Sequence, residues 1–191
     1  ADDYLACLEK VWPYADYITV NISSPNTKNL RELQGEDELD ALLGALSIRR
    51  EQLADEYERC VPVALKVAPD LEDGAIPVIA EVVARHRMDA VIATNTTIGR
   101  EGVEGMKHAN EGGGLSGAPL KRKADQTLGE LRKALPEEIA MIGVGGITCG
   151  QDAVDKLTLG ADLVQFYTGM VYRGPELVSE CLRAIRTYRE E

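Results

Sequence analysis

Five runs of apolar, β-favouring residues alternate along this chain with segments of helical period, and no other feature limits its fold as sharply. The runs are YITVNI (17–22), VPVALKV (61–67), DAVIATN (89–95), AMIGVGG (140–146) and ADLVQFYTG (161–169). Their unbroken hydrophobicity predicts strands covered on both faces, as in parallel sheets. Leu39, Leu42, Leu43 and Leu46 keep the i, i+3, i+4, i+7 spacing of one helical stripe. Ile76, Ile79, Val82 and Val83 repeat it, as do Leu177, Cys181, Leu182 and Ile185. Leu120, Ala124, Leu128 and Leu131 step along a further helix, and residues 2–12 read as a helix ahead of the first strand.

This order defines an α/β class with a parallel sheet. A closed (β/α)8 TIM barrel needs eight strand–helix units and about 250 residues. An opening helix ordinarily follows an earlier strand, so residues 1–191 are expected to be the C-terminal part of a longer barrel. A complete five-stranded doubly wound domain is the alternative. The placement of polar residues separates the two. Asn21 to Asn26, Lys66, Asn95 to Thr97, Gly145–Gly146 and Tyr167 to Gly169 all fall at the ends of their strands. In a barrel these ends share one rim, where active sites are built. A doubly wound sheet gathers ligands mainly at one crevice, so five polar tips favour the ring. Two long loops, 23–35 and 97–119, follow polar strand ends and read as lids or substrate loops.

Composition removes several classes of function. A net charge of −11 argues against a nucleic-acid-binding surface. No apolar run approaches the roughly 20 residues of a membrane helix, and the opening ADDYLACLEK has no signal-peptide character. Cys7, Cys60, Cys149 and Cys181 form no C-x-x-C pair, which fits reduced thiols. With only His86 and His108 as histidines, no metal site is expected. His86 reads as a surface residue at a helix end, and His108 sits in the second long loop with no pattern around it.

Three constellations carry chemistry. GVGG and YTG, after consecutive strands, leave backbone N–H groups unobstructed, as an anion or phosphate site requires. Tight turns are the plain alternative. Lys66 stands in an otherwise apolar run, and alternation points it inward, where a lysine seldom lies without a partner. A snorkelling or ion-paired lysine near the strand end is the plain alternative. Two functional readings compete beside it: a Schiff-base lysine in a phosphate-substrate lyase or aldolase, or a fixed cation beside an electron-rich cofactor. Asn95, together with Asn21 and Asn26, offers both donors and acceptors on one rim, which suits a neutral amide-like ring.

Taken in order, ITVNISSPNTKNLRELQG, VALKVAPDL, VIATNTT, GGLSGAPL, IGVGGI and LVQFYTG…YRGP resemble the dihydroorotate dehydrogenase family across essentially the whole chain. The resemblance implies an FMN-containing (β/α)8 barrel that oxidises dihydroorotate to orotate in pyrimidine synthesis. Serine rather than cysteine at position 24 is similar to class 2, the quinone-reducing members that associate peripherally with the cytoplasmic side of the inner membrane. It further implies that Ser24 is the base removing the C5 proton while hydride passes from C6 to the flavin. Asn21, Asn26, Asn95 and Thr96 match substrate-binding positions. Asn21, Lys66, Thr94, Gly117, Gly146, Tyr167 and Thr168 match FMN-binding positions, with Lys66 beside the flavin's N1/O2 edge and the last three around the phosphate. Thr27 matches a residue that helps relay the proton. A chain of five units taken alone is expected to be non-catalytic or to self-associate through its open strand edges.

Overall fold

The computed structural model of the protein describes residues 1–190. Helix α1 (Asp2–Val11) precedes strand β1 (Ile18–Asn21), and a short 3-10 turn (Leu30–Gln34) leads into α2 (Glu36–Tyr57). There follow β2 (Val63–Val67), α3 (Ala75–Arg85), β3 (Ala90–Ala93), a second 3-10 turn (Ala118–Leu120) and α4 (Lys121–Ala134). The chain ends with β4 (Ala140–Val144), α5 (Gly150–Thr158), β5 (Leu163–Gln165), α6 (Thr168–Arg173) and α7 (Glu176–Glu190).

The strands form one parallel sheet in the order β1-β2-β3-β4-β5, a partial α/β barrel. Because side chains alternate across a strand, the sheet divides its apolar residues between two cores. Val63, Leu65, Val67, Val91 and Met141 lie under the helices with Leu39, Leu43, Ile79, Val83, Leu128 and Leu131. Ala64, Ala90, Ile92 and Ile142, joined by Ala140 and Val144, face the barrel interior. The curvature is strong enough for Gln165 Nε2 on β5 to donate to the Tyr17 hydroxyl ahead of β1, at 3.3 Å.

Two aspartates pin the bottom of the sheet. Asp89, ahead of β3, accepts from Val63 N at 2.8 Å, and Asp162, ahead of β5, accepts from Met141 N at 2.8 Å. Each satisfies a donor at a strand start that the ladder leaves free.

The ladders are shorter than the apolar runs. The run 161–169 pairs only over Leu163–Gln165, because Thr168 already opens α6. β3 is buried along its length, whereas β1 and β5 are not, having a neighbour on one side only. Tyr17 and Leu163 remain 51% and 61% exposed beside an interior cleft of about 570 Å³, lined also by Ala64, Ala90 and Ile142. Leu182, placed on the apolar stripe of the last helix, is half exposed. His86 is no plain surface residue. It caps α3, its ring lies over Gly44 on α2, where a Cβ would sit 3.2 Å from Cε1, and Nε2 is 2.9 Å from Asp40 Oδ1.

Candidate active site at the strand C-termini

Asn21, Ser23, Lys66, Asn95 and Thr96 converge where β1, β2 and β3 end. Asn21 Oδ1 accepts from Ser23 N (3.3 Å) and Asn95 Nδ2 (3.1 Å). The Ser23 hydroxyl is fully buried and donates to Lys66 O at 2.7 Å, while Asn95 Nδ2 donates to it at 3.2 Å. Asn95 Oδ1 accepts from Thr96 N at 2.8 Å. The Asn95 amide is therefore engaged on both sides, and it fixes the amide of Asn21 and the backbone of Thr96. Asn21 is exposed, and among the described residues its Nδ2 makes no hydrogen bond.

Ser24 stands apart from its neighbour. It is half-buried, and its hydroxyl oxygen accepts from Asn26 N at 3.3 Å. Asn26 and Thr27 are exposed. The Asn26 side chain is directed at the second long loop, within 3.0 Å of where a Cβ on Gly113 would lie. That loop is closed by a bridge between Thr97 and Leu115 (2.7 and 3.1 Å), so both long loops meet over the site.

Next to this network a pocket of about 110 Å³ is lined by Lys66, Thr94, Gly117, Gly146, Tyr167 and Thr168, with Asn95 and Thr96. All the residues named as cofactor positions except Asn21 thus line one concavity. Lys66 is half-buried and, among the described residues, its ammonium has no ion pair or hydrogen bond. Burial pushes its pKa below the ordinary lysine value. Thr94 is buried, donating its hydroxyl to Asn95 O at 2.8 Å. Tyr167 caps α6 with its side chain largely exposed, so its backbone rather than its ring shapes the pocket. Thr168 Oγ1 donates to Ser116 Oγ at 2.8 Å, which adds Ser116 to the wall.

Gly146 has φ 78° and a Cβ there would strike Lys121, lying 2.5 Å from its Cα. Gly74 has φ 85° but open space around it. The two positions share backbone strain and differ in crowding. Gly146→Ala is accordingly expected to destabilise the protein by about 1–3 kcal/mol more than Gly74→Ala, as chemical unfolding of the two variants side by side will show.

Three residues escaped the sequence reading: Ser116, Arg31 and Asp70. Arg31, in the turn after β1, donates to Ser23 O, Thr96 O and Asp70 Oδ2. Asp70 is pushed up by burial, but hydrogen bonds from Lys123, Thr97, Ile98 N and Arg31 outweigh this and hold its carboxyl below the usual range. Neither residue lies on a periodic segment; Asp70 follows closely on β2, but Arg31 sits in the 3-10 turn ten residues beyond β1, where no local pattern marks it.

Parallel strands with a polar, glycine-rich rim at their C-termini define an α/β-barrel enzyme scaffold. The sequence profile of the dihydroorotate dehydrogenase family matches residues 1–188, and the chain belongs to that family. It is 58% identical over 185 residues to the dihydroorotate dehydrogenase (quinone) of Herminiimonas arsenicoxydans, covering 97% of this chain and 53% of the relative. It is also 58% identical over 184 residues to that of Ralstonia nicotianae, covering 96% and 54%. The crystal structure of DHODH in complex with ferulenol from Eimeria tenella superposes with a TM-score of 0.90 at 34% identity, over 96% of this chain and 52% of that one. The ligand-free type from the same organism gives 0.89 at 35% identity, over 96% and 54%. The chain spans about half the length of the curated relatives it matches.

Proposed function

We propose that residues 1–191 are the C-terminal part of an FMN-binding (β/α)8 barrel and that the whole protein oxidises dihydroorotate to orotate for pyrimidine synthesis, with a quinone as final acceptor. The observation that carries this is the pocket itself: an unpartnered, half-buried lysine beside a glycine-rich wall, adjoining a serine and an asparagine network. The residues fit FMN. Gly146, the backbone of Tyr167 and Thr168 are suited to its phosphate, Gly117 lines the same pocket, and Lys66 and Thr94 are suited to the ring system. Bound flavin supplies the two-electron acceptor for the hydride leaving C6.

The chain's own residues do the rest. Ser24 accepts the C5 proton, leaving the C5–C6 double bond of orotate once the C6 hydride departs. Ser24 suits that role better than Ser23, whose buried hydroxyl donates to Lys66 O. Asn21 Nδ2 and the Thr96 hydroxyl present hydrogen bonds to the substrate ring and carboxylate, Asn95 holds both in place, and Asn26 completes the contact from the first loop. Thr27 assists the proton's exit. Lys66 places positive charge where the accepting ring becomes electron-rich. The two loops, by closing, exclude water, which a hydroxyl base requires.

Class 2 character also implies peripheral attachment of the whole protein to the cytoplasmic side of the inner membrane; among the described residues no helix is long and apolar enough to cross one. Without the remaining strands, the open interior and both sheet edges would promote self-association.

The burial-lowered Lys66 also suits Schiff-base chemistry in a lyase or aldolase, and one experiment separates the readings. The complete protein should purify yellow with FMN, and anaerobic dihydroorotate should bleach the flavin absorption. Failure to retain FMN, together with borohydride trapping of a Lys66 imine, would give the site to the second reading.

A further inference from the structure

We infer that Arg31 is a positioning residue for Ser24: its guanidinium locks the first long loop onto the tips of β2 and β3. The inference rests on the role proposed above for Ser24. Arg31 spreads its three nitrogens over three separate segments. Nε donates to Ser23 O (3.1 Å), Nη1 to Asp70 Oδ2 (3.0 Å) after β2, and Nη2 to Thr96 O (2.9 Å) after β3. Ser23 O belongs to the peptide group that carries the Ser24 nitrogen, so Arg31 sets the plane from which Ser24 departs. The same side chain sets the carbonyl of Thr96 on the opposite wall of the site.

The anchor is itself rigid. Asp70 is 12% exposed at its side chain and accepts from Thr97 Oγ1 (2.5 Å), Ile98 N (2.9 Å) and Lys123 Nζ (2.7 Å). It thus ties the start of the second loop and the first turns of α4 to the same point. Gln34 Oε1 accepts from Ala68 N at 2.9 Å and secures the far end of the turn. Between Ser24 and Arg31 the chain has little other support, for Asn26, Thr27, Lys28 and Asn29 are all exposed. The planar guanidinium spreads its donors over three nitrogens in fixed directions, a geometry that an ammonium, with all its donors on one atom, does not match.

The test uses the complete FMN-loaded protein. Arg31→Gln should lower kcat for dihydroorotate about 10- to 100-fold, the scale of a small misplacement, with flavin content and spectrum unchanged. Tryptic cleavage after Lys28 should quicken, and orotate should protect less than in the parent. Asp70→Asn keeps both carbonyl contacts of Arg31 and should give the smaller effect. Arg31→Lys should not restore the rate. If Arg31→Gln is not recovered folded, Arg31→Lys provides the same two readings. Unchanged kcat and cleavage, with Ser24→Ala inactive in the same protein, would overturn the positioning role alone. Flavin lost in step with kcat would overturn it too, by making Arg31 merely structural. A fully active Ser24→Ala would instead remove the reading of the site beneath it.

Discussion

Ser24→Ala in the complete protein is expected to bind FMN and orotate as the parent does and to reduce the flavin about 10²- to 10⁴-fold more slowly, the usual worth of a positioned general base. The neighbouring serine supplies the control. Ser23→Ala strips a buried donor from Lys66 O and an acceptor from Asn95 Nδ2. Such unsatisfied groups cost about 1–3 kcal/mol, so its signature is lost stability, with the rate falling only as the network loosens. Ser24→Cys distinguishes basicity from mere shape. A thiol near its free pKa of about 8.5 becomes fully available as base once the pH exceeds that value. The rate of the cysteine variant should therefore level off there, whereas the serine enzyme continues to gain with pH. Stopped-flow flavin bleaching at saturating dihydroorotate measures all three variants. Undiminished reduction in Ser24→Ala would end the base assignment.

The sequence exposed those features that depend on neighbours along the chain. β2, β3 and β4 are buried on both faces, so their apolar runs announce them. At the fifth run the signal misleads, because Phe166 and Tyr167 prolong the apolar pattern into residues that belong to a turn and to α6. α5 shows no stripe because two of its buried positions are Gly150 and Lys156, which no hydrophobic pattern counts. Polar residues at strand ends were visible as site candidates because a parallel α/β fold brings all such ends to one side. Arg31 and Thr96 lie 65 positions apart, and their contact follows from sheet order and loop path rather than from any local pattern. The family motif alone picks Ser24 over Ser23, and the fold adds that the Ser23 hydroxyl is buried against Lys66 O while Ser24 is half-buried.

A larger effect on stability is expected beneath the glycine turn, where Lys156 is wholly buried. Its Nζ lies 2.7 Å from Asp125 Oδ1 and 3.5 Å from Val144 O, the residue that leads into Gly145–Gly146. The contact is an ion pair within a buried site. Asp125 is shared: its other oxygen is 2.8 Å from Lys121 Nζ, which also reaches Asp155 at 2.8 Å. Removing one partner of a buried pair costs about 3–5 kcal/mol because the other charge is left unpaired. Asp125→Ala strands Lys156 in this way. The loss has a ceiling, since the lysine can discard its proton. From its ordinary pKa of 10.5 that costs about 4.8 kcal/mol at pH 7, at about 1.36 kcal/mol for each pH unit. Lys156→Met instead removes the charge that is expensive to bury and leaves Asp125 paired with Lys121, so its stability should stay within about 1 kcal/mol of the parent. The sign with pH follows from the same group. Burial lowers the Lys156 pKa in the fold despite its pairing with Asp125, so protonation favours the unfolded chain at every pH below 10.5 and down to the folded value. With Asp125 gone the folded value falls further, so the deficit of Asp125→Ala against the parent should shrink as the pH rises toward the parent's own folded value, which lies below 10.5. Urea unfolding of both variants across that range checks the two claims together. Equal losses for Asp125→Ala and Lys156→Met, or a deficit indifferent to pH, would mean that the buried lysine is not the source of the strain.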